Sequence, residues 1–325
     1  MYQAAHNTRM KNRHTGGIAL ILSAAVLWGT TGTAQSFAPL TLSPYWIGAS
    51  RLLISGVFFF SWILLTDYSA CSKERLKTMP WPLILSAALS MAAYNLTFFA
   101  GIRATSVGIG TAVALGSSPI WAGILQTVWF RELPTTSWWI AVSIAFSGLL
   151  ITTYASFDIA ITSSVIGIVL CLSSGLSYAA YALLTKELVS RVSATVSTAW
   201  VFSCAAIFAA PAAFLLAGPP VFNPSDLAVV LWLGVIATGI AYLLFSKGIR
   251  FVSSATGVAL ALAEPIAAVV LAMVVIGERP GTIPLTGMVI VFIGLCLIVR
   301  AELKAAKGAK KNNVVTPTDL SRFSQ

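Results

Sequence analysis

Gly17-Ile18-Ala19-Leu20-Ile21-Leu22-Ser23 returns 150 residues later as Gly167-Ile168-Val169-Leu170-Cys171-Leu172-Ser173. Further along, Gly101-Ile102-Arg103 returns as Gly248-Ile249-Arg250. Pro119, Glu132, Pro134 and Gly148 return at a spacing of 146 as Pro265, Glu278, Pro280 and Gly294. The chain is therefore a duplication, and each copy holds five long apolar runs. After an odd number of crossings the second copy enters a bilayer from the opposite face. Two copies related in that way place a binding site at their interface.

Composition agrees with a membrane setting. The chain has 325 residues, of which 58% are hydrophobic and 9% charged, with a mean hydropathy of +0.88; soluble domains carry roughly 25% charged residues. A helix crossing the bilayer core needs about 20 apolar residues. Runs of that kind lie at 17–37, 45–66, 81–101, 106–130, 136–154, 164–187, 196–217, 226–247, 253–276 and 282–300. The expected fold is an all-α integral membrane protein of ten transmembrane helices, arranged as two inverted five-helix repeats. Its expected units are a basic tail over 1–16, repeats over 17–154 and 164–300, and a second basic tail over 301–325. The first run resembles a secretory signal, with a weak cleavage-like Gly32-Thr33-Ala34. Its partnership with the run at 167 predicts that it is retained.

The formal net charge of +10 does not point to nucleic acid, because the bases sit in tails and short loops. With the N-terminus inside, the cytoplasm receives Arg9, Lys11, Arg13, Lys73, Arg75, Lys77, Arg131, Lys186, Arg191, Lys247, Arg250 and the six bases of the C-terminal region, 17 of the 20. Outer loops hold Arg103 and Arg279. Such a bias sets orientation, so both termini are expected in the cytoplasm of a multi-pass protein of the cell membrane. Lys304, Lys307, Lys310 and Lys311 are placed to touch anionic headgroups of the lipid bilayer.

Catalytic patterns are missing. The sequence has no HExxH, GxSxG or P-loop and no intramembrane Asp pair. Cys71, Cys171, Cys204 and Cys296 are scattered, and His6 and His14 sit in the N-terminal tail, where solvation is the simplest expectation. An enzyme, a cofactor, a metal site and transport driven by the chain's own ATP hydrolysis are not expected.

The pattern resembles the drug/metabolite transporter superfamily, in particular its ten-helix EamA family. The residues that carry the resemblance are Trp28-Gly29 and the segments at Pro119 and Pro265. With them go Trp129-Phe130-Arg131-Glu132-Leu133-Pro134 and Ile276-Gly277-Glu278-Arg279-Pro280, each ahead of a final span with Gly148 or Gly294. The resemblance covers about 16 to 300. It implies a central cavity between the repeats, alternating access and carriage of small metabolites, with efflux of amino acids and related compounds the commonest role. A membrane sensor or scaffold on the same fold, and an importer, are the alternatives. The oligomeric state is open, a homodimer included, as is coupling to a proton or other ion.

Within the spans, Glu264 is the first candidate. It lies about twelve residues into its run, near mid-bilayer at 1.5 Å per residue. A carboxylate there costs several kcal/mol unless protonated, paired or hydrated, which marks it for function. It could serve a proton or a substrate amine, or it could be a structural carboxylate bonded across the repeat interface. Pro265 removes a helix hydrogen bond beside it. Ser117-Ser118-Pro119 is the matching point of the fourth span, where freed backbone groups either bind a polar solute or are satisfied by the hydroxyls. Pro119 and Pro265 are candidate hinges. Trp28, Tyr94 with Asn95, Tyr178, Tyr181 and Tyr242 combine apolar faces with polar tips, as a cavity for mixed solutes requires, although ordinary packing also uses them. Gln35, Asn95 and Gln126 are amides suited to bonds between helices or, Asn95 above all, to lining a polar path. Trp46, Trp62, Trp81, Trp138 and Trp139 read as interfacial belt residues. Arg51 lies roughly 9 Å inside its span, where snorkelling outward is expected ahead of the alternative, a buried site for a substrate carboxylate.

Overall fold

The computed structural model describes residues 2–37, 42–66, 72–105, 107–154, 165–221, 223–224 and 226–312. Ten helices within them are long and apolar enough to cross a membrane: Arg13–Ala34, Pro44–Thr66, Trp81–Ala104, Gly108–Phe130, Thr136–Thr153, Val165–Arg191, Ala194–Ala217, Asp226–Ile249, Ser254–Ile276 and Thr282–Ala306. These are numbered here as spans one to ten. All ten coincide with the apolar runs of the sequence to within a few residues. The first and last helices extend further, over Tyr2–Phe37 and Thr282–Asn312, so the described parts of the two basic tails continue the spans as helix. One additional short helix, Lys73–Thr78, starts at Ser72, whose hydroxyl accepts from the Arg75 N–H.

The helices pair in a way that fits an inverted repeat. Span five packs on ten and span two on seven, each pairing being its own counterpart when one half is exchanged for the other. Span three on six corresponds to eight on one, and four on six to nine on one. Small residues set these crossings. A Cβ on Gly248 would stand 2.7 Å from the Gly17 carbonyl, and one on Gly101 would stand 3.1 Å from the Cys171 nitrogen. The repeated Gly-Ile-Arg glycine therefore meets the repeated Gly-Ile run of the other half in both places. In spans five and ten, a Cβ on Gly148 would lie 2.6 Å from the Val291 nitrogen, and one on Gly294 would lie 2.6 Å from the Ala145 nitrogen. Between membrane helices, where lipid is as apolar as Leu, such close backbone approach is the main source of association.

Two spans of the second half depart from regular helix, and their counterparts do not. Span eight is a π-helix over Trp232–Ile240, while span three is α-helical throughout. Span nine is broken into Ser254–Leu260 and Ala263–Leu271. The break follows from Pro265, which offers no N–H to the Ala261 carbonyl and crowds it. The chain tightens instead, with Ala261 and Leu262 donating to Val258 and Ala259 and the Glu264 N–H turning to Ala261. Pro119 has no such effect, for the helix runs unbroken over Val107–Phe130. The two candidate hinge prolines therefore sit in different local structures.

Candidate functional site

The site is built where the small residues let the repeats close. Gly29 brings span one against the turn that carries Glu264: a Cβ there would lie 2.9 Å from the Glu264 carbonyl. Its neighbour Trp28 is thereby pushed into the middle of the bundle, 5% exposed. There it meets Tyr242 at 4.9 Å and Tyr178 at 6.1 Å between ring centroids. Tyr178 meets Tyr94 at 5.3 Å with the rings tilted, and Tyr181 meets Tyr242 at 5.7 Å. Trp28 and Tyr94 come from the first repeat, and Tyr178, Tyr181 and Tyr242 from the second. Glu264 occupies the first turn of its half-helix, half-buried, within electrostatic range of Tyr94 and Tyr178.

Arg51 corrects the sequence expectation. It does not snorkel outward; it is 6% exposed and turned to the same centre. Its Nε donates to Thr238 Oγ1 at 3.0 Å, and its guanidinium lies 5.5 Å from the centroid of the Phe99 ring. Thr238 sits in the π-helix, and its own hydroxyl donates to the Leu233 carbonyl five residues back, a bond that the wider π turn makes reachable. Arg51 and Glu264 feel each other's charge without forming a contact ion pair. The helix end is too far for snorkelling to compete once a hydroxyl and a ring face are at hand.

Several polar atoms at this centre lack partners. Trp28 Nε1 and Tyr178 Oη are buried without a hydrogen bond. Glu264 carries none on its carboxylate, and Arg51 bonds through Nε alone, among the described residues. Most buried polar groups are paired, so a cluster of unpaired ones calls for an explanation.

Other candidates point elsewhere. Asn95 adjoins Tyr94 in sequence, but one helical residue of rotation turns it against span two. Its Nδ2 donates to the Met91 carbonyl at 3.0 Å, and its backbone packs beside Gly48. Ser117 and Ser118 return their hydroxyls to the Ala114 carbonyl at 3.3 and 2.6 Å. The side chain of Gln35 lies outside the described residues. Trp138 is not a belt residue but buried at 3% exposure.

The bundle is not equally open at its two ends. Beside Thr30, Thr33, Trp232 and Leu271 lies a cavity of about 400 Å³ lined almost wholly by apolar groups. Toward the other end Phe59, Tyr181, Phe202 and Phe245 are essentially inaccessible and pack ring on ring, with Phe59 to Phe202 at 5.8 Å. Beyond this plug lie two cavities of about 310 and 320 Å³ whose linings include charged side chains, Glu132 in both. His14 lines the first, half-buried with an unbonded Nδ1, so it is not simply solvated as expected. Glu302 is also buried; it accepts from Ser253 N–H, Ser253 Oγ and Thr256 Oγ1, at 2.7–2.9 Å. Gln126 accepts from the Ala255 N–H at 2.8 Å. These two side chains cap the start of span nine. Lys186 donates to the Val252 and Ile249 carbonyls at the end of span eight.

Comparison with known proteins agrees with this architecture. The EamA-like transporter family matches the chain twice, over residues 15–154 and 165–300. "Uncharacterized transporter YwfM" of Bacillus subtilis (strain 168) is 36% identical over 287 residues, covering 87% of this chain and 94% of that protein. "Uncharacterized transporter YvbV" of the same organism is 24% identical over 305 residues, covering 89% and 92%. A solved structure titled "Crystal structure of protein" superposes with a TM-score of 0.75 at 18% identity, covering 88% of this chain and 97% of that one. With the family matched once in each half and ten spans between, the chain belongs to the EamA-like transporter family of the drug/metabolite transporter superfamily.

Proposed function

We propose that the protein is a secondary transporter that exports amino acids or related small metabolites across the cytoplasmic membrane by alternating access, with both termini in the cytoplasm. The observation that carries this reading is that the buried, unpaired Trp28 Nε1 of one repeat and Tyr178 Oη of the other share one aromatic cluster, with Arg51 and Glu264 in electrostatic range of each other beside it. A polar solute supplies the partners these groups lack, and the rings cover its apolar part. In the proposed orientation the 400 Å³ cavity opens outward and the plug of Phe59, Tyr181, Phe202 and Phe245 closes the cytoplasmic side.

The break at Ala261–Leu262 gives the movement a place to occur. The half-helix Ala263–Leu271 has no fully buried residue and leans mainly on span one. It can tilt about the break and take Glu264 with it, because no i→i−4 bond crosses from Pro265. Glu264 then exchanges a proton or a substrate ammonium with whichever side is open. Purified protein in liposomes loaded with unlabelled amino acid should exchange it for labelled amino acid from outside, and failure across the common amino acids would overturn this reading of the substrate.

A further inference from the structure

We infer that Arg51 and Glu264 form the two poles of a zwitterion site, so that the protein selects solutes bearing a carboxylate and an ammonium together. This rests on the transporter reading above and specifies what its site recognises. Arg51 presents two terminal nitrogens that bond nothing among the described residues, in a side chain 6% exposed. Its Nε is fixed on Thr238, which leaves the terminal nitrogens of the fork for another partner. A buried guanidinium with free terminal donors is complementary to a carboxylate, whose two oxygens match the fork.

Glu264 is complementary to the opposite group. Its oxygens also lack a partner among the described residues, and the hydroxyls of Tyr94 and Tyr178 lie within electrostatic range of it. An ammonium placed there gains the charged partner that the carboxylate lacks. The geometry keeps the two poles apart: they interact through space but do not touch. A direct ion pair would leave neither group for a solute. Held apart, both keep their bonding capacity, and a zwitterion satisfies both at once.

Charge balance sharpens the selection. One cation and one anion make the site neutral, and a solute of zero net charge with both groups leaves neither pole unpaired. An amine leaves Arg51 buried without an anion, and a carboxylic acid leaves Glu264 without a cation. Leaving one member of such a set unpaired is costly, so discrimination by polar groups far exceeds that by apolar fit. The rings around Trp28 and Tyr242 then set which apolar side chain is preferred.

The test uses the full chain in liposomes and three probes of one shape: labelled phenylalanine, phenethylamine and 3-phenylpropionate, with leucine and its two analogues as a second set. Wild type should exchange the amino acid and reject both analogues by roughly a hundredfold or more. Arg51→Gln should lose most amino-acid exchange while the amine loses little, bringing the ratio near one. Arg51→Lys keeps the charge without the fork and should fall between. Thr238→Val removes the Nε anchor together with the bond to the Leu233 carbonyl while keeping Arg51, and should weaken amino-acid exchange with the preference retained, which keeps the test informative if Arg51→Gln does not fold. Amino-acid exchange with an unchanged ratio in Arg51→Gln or Arg51→Lys would overturn the role of Arg51 and leave the transporter reading standing. Exchange of neither amino acid by wild type would overturn both.

Discussion

Arg131 and Gly277 occupy the same place in the two repeats and share a backbone conformation. They end spans four and nine, 146 residues apart, with φ of 56° and 81°. The left-handed region suits glycine, and for an L side chain it costs roughly 1–2 kcal/mol. The second repeat has glycine there and the first does not. Replacing Arg131 by Gly should therefore raise the stability of the protein by about 1 kcal/mol, read as a higher melting temperature in detergent. Gly277→Arg should lower it. A melting temperature unmoved by both would mean that the cap geometry carries no strain.

The cap on span nine makes a second prediction. Glu302 accepts three hydrogen bonds from Ser253 and Thr256. Bonds to a charged group contribute about 1.5–3 kcal/mol each when buried, less when shared on one carboxylate. Glu302→Ala should lower stability by about 3 kcal/mol and Glu302→Gln by less. The loss should be largest at the Ser253–Thr256 amides in hydrogen exchange. Equal protection in the two variants would contradict a capping role.

Tyr178 separates binding from scaffold. Its hydroxyl is buried and bonds nothing, so Tyr178→Phe removes a group that costs about 1–3 kcal/mol to leave unpaired. Thermal stability without substrate should hold or rise, while the affinity for substrate in exchange assays falls. A marked loss of stability would place that hydroxyl in the scaffold.

The orientation is tested by reporter fusions. Fusions at residue 70 and at the C-terminus should report inside, and those at 40, 160 and 222 outside. An inside signal from 160 would break the ten-span arrangement, since the second repeat begins there.

The ten spans were legible because each is a run long enough to cross a bilayer, and the duplication was legible because glycines that set helix crossings recur at matching places in both halves. Six of the aromatic and acidic candidates, Trp28, Tyr94, Tyr178, Tyr181, Tyr242 and Glu264, do converge. Arg51 was misread because depth along a span says nothing about which way a side chain turns. The signal available was Gly48 and Ser55, three residues before it and four after it on the same helix face, small residues that mark a face packed on another helix. Asn95 turns away from Tyr94 for the related reason that sequence neighbours on a helix face different directions. The π-helix holding Thr238 had no sequence signature, because Trp232–Ile240 is as apolar as any regular span.

The most direct test of the central claim is flux through Glu264→Gln, measured per molecule of inserted protein across a range of pH. Gln keeps the shape and hydrogen bonding of the protonated acid, so the variant should insert at normal abundance. If Glu264 exchanges the proton or the substrate ammonium, gradient-driven flux and its dependence on pH should be lost. Flux equal to wild type at every pH would contradict the account and leave Glu264 a scaffold residue.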